Sequence, residues 1–97
     1  MKRDDVLRVL AAQRDELRRQ YGVKSLALFG SAVRDEATEA SDVDLLVEFD
    51  RQIGLLHLIA TEQHLEDVLG VKVDLVLRRA VLPELKDRIL SEAVNAF

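Results

Sequence analysis

Three aspartates are the residues of this 97-residue chain whose type and spacing most clearly suggest chemistry. Asp42 and Asp44 stand two apart at the start of the apolar run DVDLLVEF, so in a strand both carboxylates would face the same side. Asp74 lies inside a second apolar run, VKVDLVL. If the two strands are neighbours, three carboxylates meet on one face and oppose each other's ionisation. A magnesium ion, which prefers oxygen ligands, would relieve that repulsion.

A Gly-Ser pair supplies the second half of the candidate site. Gly30 and Ser31 end the run KSLALFG and stand ten residues ahead of the Asp-x-Asp. Glycine lets the backbone approach a ligand closely, because no Cβ intervenes. The Ser31 hydroxyl and the free N–H groups of a helix start would form an anion pocket. A triphosphate would then lie between this turn and the aspartates, where two metal ions can clamp the oxygens of a phosphoryl displacement.

Two further residues are candidates for nucleotide binding. Arg34 could reach a phosphate from the same segment, although a solvated surface arginine is the ordinary alternative. Ser41 directly precedes the aspartate pair. Ordinary alternatives exist for the aspartates too, because a strand mouth tolerates acidic residues and Asp74 could simply pair with Lys72 or Arg78.

The elements that must position these residues follow from hydrophobic periodicity. Residues 3–20 predict an amphipathic helix that stops at Gly22. The three apolar runs KSLALFG, DVDLLVEF and VKVDLVL predict three strands, with a short helical turn plus loop over residues 31–41.

Two later helices complete the prediction. One opens at Gly54 and is closed by Gly70, with the apolar residues from Leu55 to Leu69 as a core stripe. The other begins near Pro83, where the missing N–H costs nothing. The inner stripe of this last helix is predicted to be Leu82, Leu85, Ile89, Ala93 and Phe97. His57 and His64, seven residues apart, are interpreted as surface or partner-facing residues.

The element order predicts a small α/β (α+β) domain over residues 1–97. We expect a mixed sheet of three to four strands flanked by helices.

Composition narrows the functional class. The formal charge is −4, and the acidic and basic residues are interspersed without a basic block. Direct nucleic-acid binding is therefore not expected. Cysteine is absent, which removes disulfides and thiolate chemistry. No apolar run approaches the roughly 18 residues of a membrane span, and the start does not resemble a signal peptide. We therefore expect a cytoplasmic protein.

The segment GSAVRDEATEASDVDLLVEF resembles the signature of the polymerase-beta-type nucleotidyltransferases. The whole chain, including VDLVL and the closing ILSEAV, is similar to the minimal nucleotidyltransferase (MNT) antitoxins, which are encoded beside a helical HEPN ribonuclease toxin. The resemblance implies the nucleotidyltransferase fold. It also implies a magnesium-dependent transfer of AMP from ATP to a tyrosine of the toxin, and this modification neutralises the toxin. The protein would form a hetero-oligomer with that toxin.

The resemblance also implies a role for each matching residue. Asp42 and Asp44 would ligate one or two magnesium ions, and Asp74 would be the third catalytic and metal-binding carboxylate that helps to activate the attacking hydroxyl. Gly30 and Ser31 would hold the triphosphate of ATP.

Two other functions stay open on the sequence. The protein could neutralise its toxin by direct binding without catalysis. It could also modify a small molecule or an RNA end, although the acidic net charge argues against that substrate class.

Overall fold

The computed structural model describes residues 2–34 and 42–97, and a four-stranded mixed sheet forms its centre. The strands are β1 (Val23–Phe29), β2 (Val43–Phe49), β3 (Val73–Leu77) and β4 (Val94–Asn95). Their order in the sheet is β3-β2-β1-β4. β1 runs antiparallel to β2 and β4, whereas β2 and β3 are parallel. The predicted mixed sheet is confirmed.

Helices and short turns connect the strands. The helices are α1 (Arg3–Ala12), α2 (Arg14–Tyr21), α3 (Leu55–Leu69) and α4 (Pro83–Glu92). Single 3-10 turns, Gly30–Ala32 and Arg78–Ala80, follow β1 and β3. Within the described residues, no helix has both the length and the apolar character that a membrane crossing requires.

The hydrophobic core lies on one face of the sheet, beneath α1, α2 and α3. Side chains alternate across a strand, so every second residue of β1, β2 and β3 points into this core. Burying one leucine contributes about 1.5–3 kcal/mol, so the helices hold the central strand β2 firmly. The buried core residues include Val6, Leu10, Leu17, Leu26, Leu28, Leu45, Val47, Leu65, Leu69, Val73 and Leu75.

The other face of the sheet, called the open face below, carries Asp44 and Asp74 among both polar and apolar residues. It consists of Ser25, Ala27, Phe29, Asp44, Leu46, Glu48, Asp74 and Val76, which alternate with the core residues. Helix α4 borders this face, and Leu90 of α4 lines a small cavity with Ser25 and Leu46. The candidate catalytic aspartates therefore lie on the face that α1, α2 and α3 leave uncovered.

The first predicted helix is in fact two helices. Gln13 separates α1 from α2, and its backbone N–H contacts the carbonyls of both Val9 and Leu10. Neither glycine nor proline stands at this break, so no helix-breaking residue in the sequence marks it. The predicted stop at Gly22 is confirmed.

The predicted core stripe of the third helix is only half right. The boundaries at Gly54 and Gly70 are confirmed. However, Leu55 and Leu56 are 70% and 82% exposed, and burial begins only at Thr61. The first turn of α3 extends past the edge of the core.

The predicted inner stripe of the last helix is wrong. α4 ends at Glu92 and has no buried residue, and Leu82 and Leu85 are 56% and 43% exposed. The chain then becomes extended, and the backbone N–H of Ala96 donates to Leu26 O at 2.8 Å. Pairing with β1 satisfies backbone groups that a longer helix would have left unpaired at the sheet edge.

Candidate active site

Asp44 and Asp74 lie directly opposite each other on neighbouring parallel strands. Adjacent strands are separated by about 4.8 Å, and paired residues point to the same face. The ordinary alternative for Asp74 is not observed in the described part of the chain, where it forms no ion pair with Lys72 or Arg78. Arg78 instead contacts Glu48 at 3.2 Å. The register of β2 against β3 thus brings two of the three predicted carboxylates together.

The third carboxylate, Asp42, lies one residue before β2 and is exposed. Asp44 is half-buried, and this burial is the largest cause that raises its pKa above the ordinary value of 3.8. Repulsion from Asp74 and then from Asp42 raises the same pKa further. Both neighbours therefore lie close enough to disfavour the ionised form of Asp44.

Gly30 lies against Asp44 at the end of β1. Phe29 pairs with Asp44 in the antiparallel ladder, which places the Gly30–Ala32 turn beside the carboxylate. The Gly30 φ angle is +78°, in the left-handed region, and a Cβ built there would overlap Asp44 Oδ2. Both the backbone conformation and the available space therefore require glycine at this position.

Ser31 lies in the middle of this turn and is half-buried, while Ala32 anchors the turn in the core with 1% exposure. The N–H groups of Val33 and Arg34 donate to Gly30 O and Ser31 O inside the turn. Those two amides are consequently occupied, so the predicted anion pocket would have to use the hydroxyl and the earlier amides of the turn. The helical turn predicted at the start of residues 31–41 is observed as a single 3-10 turn over Gly30–Ala32, and the loop predicted after it lies, from residue 35 on, outside the described residues.

The two additional nucleotide-binding candidates have different outcomes. Arg34 is exposed, and its Nη1 contacts Glu92 Oε2 of α4 at 3.2 Å. A phosphate would compete with this contact for the guanidinium. Ser41 lies outside the described residues.

Two glutamates that sequence reasoning missed hold the strand that carries Asp74. Glu66 Oε2 accepts the backbone N–H of Val73 at 3.0 Å, and Glu62 Oε1 accepts that of Leu75 at 3.3 Å. These amides lie on both sides of Asp74 and belong to the outer edge of the sheet. Glu62 and Glu66 are four residues apart on α3 and so share one helix face. That spacing was visible in the sequence, but the amides that they bind were not.

The donor set suits a hard cation. Within residues 2–34 and 42–97, no three His, Cys, Asp or Glu side chains converge into a ready-made metal cage. Magnesium does not need such a cage, because one or two carboxylates, substrate phosphates and waters commonly hold it. Asp44, with Asp42 and Asp74 beside it, provides carboxylate oxygens in direct contact with the Gly30 turn at the end of β1.

The prediction that the histidines face the surface or a partner is wrong. His57 and His64 are half-buried between α2 and α3. His57 Nε2 lies 2.7 Å from Tyr21 O, and the Tyr21 ring stacks on His64 with centroids 4.9 Å apart. Gln13 Oε1 contacts His64 Nε2 at 3.1 Å. The two rings therefore stabilise helix packing.

Comparison with known proteins places this geometry in context. The model of the nucleotidyltransferase domain family matches residues 10–95, a range that includes every candidate site residue. Protein adenylyltransferase MntA of Thermococcus cleftensis is 41% identical over 91 residues, which cover 94% of this chain and 92% of the relative.

Solved structures with the same fold are also found. One, provisionally named a minimal nucleotidyltransferase, has a TM-score of 0.80 at 37% identity and covers 97% of this chain and 95% of its own. A Shewanella oneidensis complex of a tri-AMPylated HEPN toxin with an MNT antitoxin contains a chain with a TM-score of 0.67 at 19% identity. That match covers 94% of this chain and 71% of the other, and it shows a shared fold.

Proposed function

The chain belongs to the nucleotidyltransferase domain family, and we propose that it is a magnesium-dependent protein adenylyltransferase that acts as an antitoxin. Its donor substrate would be ATP and its acceptor a tyrosine of a HEPN-family toxin, with which it would form a hetero-oligomer. Residues 1–97 would act as one nucleotidyltransferase domain in the cytoplasm. The observation that carries the proposal is the pairing of Asp44 with Asp74 beside Gly30.

The relatives support the acceptor class. The Thermococcus protein is named a protein adenylyltransferase, and the Shewanella complex contains a HEPN toxin that bears three AMP groups. Identity of 41% over nearly the whole chain makes a shared reaction the simplest interpretation.

The chain's own residues would divide the work of the transfer. Asp42 and Asp44, with Asp74, would hold the metal, and the Gly30–Ala32 turn would hold the triphosphate. Asp74 would accept the proton of the tyrosine hydroxyl. At the same time the tyrosine oxygen would bond to the α-phosphorus, and the bond from the α-phosphorus to pyrophosphate would break. Bound magnesium supplies charge compensation for the triphosphate and the departing pyrophosphate.

Positioning provides most of the remaining catalysis. Transfer between two bound groups requires little covalent chemistry from the protein, so alignment and electrostatics dominate. β2 lies at the interior of the sheet and is buried by the core, so Asp44 stands on a rigid element. Asp74 is fixed by the β2–β3 ladder on one side and by Glu62 and Glu66 on the other.

The direct test uses ATP labelled on the α-phosphate, magnesium and the product of the neighbouring gene, which the proposal expects to be a HEPN-family protein. We expect label on a tyrosine of the partner. The double variant Asp42→Ala/Asp44→Ala should lose at least about a hundredfold in rate, because a metal-ligating carboxylate is worth several kcal/mol in the transition state. The exposed pair Asp4→Ala/Asp67→Ala serves as the control with the same change in charge.

Two outcomes would contradict the proposal. An authentic, folded partner that acquires no label would exclude protein adenylylation. A double variant that still neutralises the toxin in cells while binding it normally would show that direct binding, not catalysis, is the mechanism.

A further inference from the structure

A second concave site lies at the opposite end of the sheet from the aspartates. It is a cavity of about 320 Å³ at the carboxyl ends of β2 and β3. Its apolar wall is formed by Val47, Phe49, Ile53 and Leu77. Cavities of a few hundred Å³ with apolar walls and a few polar groups are typical of binding sites. None of the residues assigned to AMP transfer lines it.

The rim of this cavity is strongly basic in a chain with a formal charge of −4. Arg51, Arg78, Arg79 and Lys86 line it, against one acidic residue, Glu48. Arg78 is held by Glu48, and Arg51 is held by its neighbour Asp50.

Arg79 and Lys86 differ from the other two basic residues. Among the described residues, neither has a hydrogen-bond or ion-pair partner, and both are exposed. Two cations at the mouth of an apolar cavity favour a ligand that combines an apolar group with negative charge.

Exposed apolar residues flank the cavity along the chain. Leu55 and Leu56 follow Ile53 closely and are 70% and 82% exposed, while Leu85 directly precedes Lys86 and is 43% exposed. Apolar side chains beside unpaired basic groups such as Arg79 and Lys86 are typical of a protein interface, where a buried apolar centre is surrounded by charged groups. Exposed apolar residues next in sequence to the lining residues favour a protein segment over a small anion.

The cavity shares one lining residue with a smaller cavity on the open face. Arg78 also lines a second cavity of about 170 Å³ on the open face, together with Ser25 and Leu46. Leu46 lies two residues from Asp44 on the same face. Glu48 is four positions after Asp44, so the two sites are about 13 Å apart along β2. A segment bound in the basic cavity would thus lie next to the surface that leads to the catalytic carboxylates.

We propose that the basic cavity docks an acidic segment of the toxin partner, with an apolar side chain against Phe49 and Leu77 and carboxylates against Arg79 and Lys86. This inference rests on the proposed function, because it names how that partner is recognised. Docking at a distance from the reacting atoms affects how tightly the partner binds and leaves the chemical step unchanged.

The test compares the charge-reversal variant Arg79→Glu/Lys86→Glu with the control Arg14→Glu/Arg19→Glu. The control changes the net charge equally on exposed positions of α2, which do not line the cavity. Calorimetry without ATP measures partner affinity. Transfer kinetics with the neighbouring HEPN-family protein measure KM for the partner and kcat, and affinity for Mg-AMP-PNP reports on the nucleotide site.

We expect the cavity variant to raise both the partner Kd and the partner KM at least about tenfold, with kcat and AMP-PNP affinity unchanged. The salt dependence of partner binding should also decrease, because two screened contacts are lost. A variant that binds the partner as tightly as the control overturns the docking proposal, as does a wild-type protein that does not bind the partner at all. A third outcome separates the two proposals. If the wild-type protein binds the partner but transfers no AMP, and the cavity variant loses that binding, docking is supported and only the adenylylation proposal is contradicted.

Discussion

Asp44 Oδ2 occupies the space that a Cβ at residue 30 would need, so the Asp44 carboxylate can hold its position only because residue 30 is glycine. The two residues belong to the two halves of the motif and meet where β1 ends beside the start of β2. The absence of a side chain at residue 30 therefore has a direct consequence for Asp44. It allows the Asp44 carboxylate to occupy its position on the open face.

A single methyl group at residue 30 should disable transfer. Gly30→Ala forces a left-handed φ on alanine, which costs about 1–2 kcal/mol of stability, and it displaces the Asp44 carboxylate. Since displacement of a catalytic group by about 1 Å can cost up to a hundredfold, we expect transfer to fall at least about tenfold. Gly54→Ala is the matched control, because Gly54 has φ −90° and a Cβ added there would meet no atom within 4 Å. Equal transfer rates in the two variants would contradict this account.

Neutralising Asp44 should stabilise the protein in the absence of magnesium. The folded-state pKa of Asp44 is raised by burial, by Asp74 and by Asp42, so its ionised form opposes folding. The wild-type protein therefore loses stability as the pH rises from the ordinary value of 3.8 through the folded pKa. Asp44→Asn should unfold at a higher temperature than wild type at pH 7, and the difference should vanish below pH 3.8.

Magnesium should reverse that order of stability. An ion that binds the folded state raises the melting temperature by mass action. We expect magnesium to raise the melting temperature of the wild-type protein and to leave that of Asp44→Asn nearly unchanged. Melting curves of both proteins at pH 7, with and without magnesium, check both claims. Identical curves under all conditions would mean that the three carboxylates do not form a common site.

The strands that position the site were predictable, because their apolar runs are short and are bounded by polar or glycine residues. β4 was not, since Val94 and Asn95 carry no strand pattern and pair only because the edge of β1 is available. Likewise, the spacing of Leu85 and Ile89 predicts a helix correctly but does not determine whether that helix is buried. Local pattern indicates the element, while long-range packing decides where it ends and what covers it.

For the candidate site, spacing placed Asp42 and Asp44 on one strand side but could not establish which strand lies beside β2. The β2–β3 register that pairs Asp44 with Asp74 is a tertiary fact. The hydrogen bonds of Glu62 and Glu66 to β3 also depend on tertiary structure. From the sequence alone, a glutamate on an amphipathic helix is ordinarily interpreted as solvated.

The glutamates on α3 are expected to act as positioning residues for Asp74. Glu62→Met/Glu66→Met removes the acceptors for the Val73 and Leu75 amides, and each unsatisfied amide should cost about 1–3 kcal/mol of unfolding free energy. Because the backbone around Asp74 loosens, the transfer rate should also fall while AMP-PNP affinity changes little.

The glutamine variants separate this role from a role of charge. Glu62→Gln/Glu66→Gln keeps an oxygen acceptor at both positions and should retain most of the activity and stability. Gln63→Met, at an exposed position of the same helix, controls for the introduction of methionine. If the Met and Gln double variants have equal stabilities and rates, the hydrogen bonds do not position β3.

Arg34 provides a test of whether the turn after β1 reaches the nucleotide. Its ion pair with Glu92 is solvent-exposed, and such pairs contribute at most about 1 kcal/mol, so a triphosphate can displace it. Glu92→Gln weakens the competing contact and should leave Mg-AMP-PNP affinity equal to or slightly above that of wild type. Arg34→Ala should weaken that affinity about fivefold to tenfold, because a charge-assisted contact to phosphate is lost. Titration calorimetry of both variants distinguishes the roles: an Arg34→Ala protein that binds AMP-PNP as wild type does would restrict Arg34 to holding α4 through Glu92.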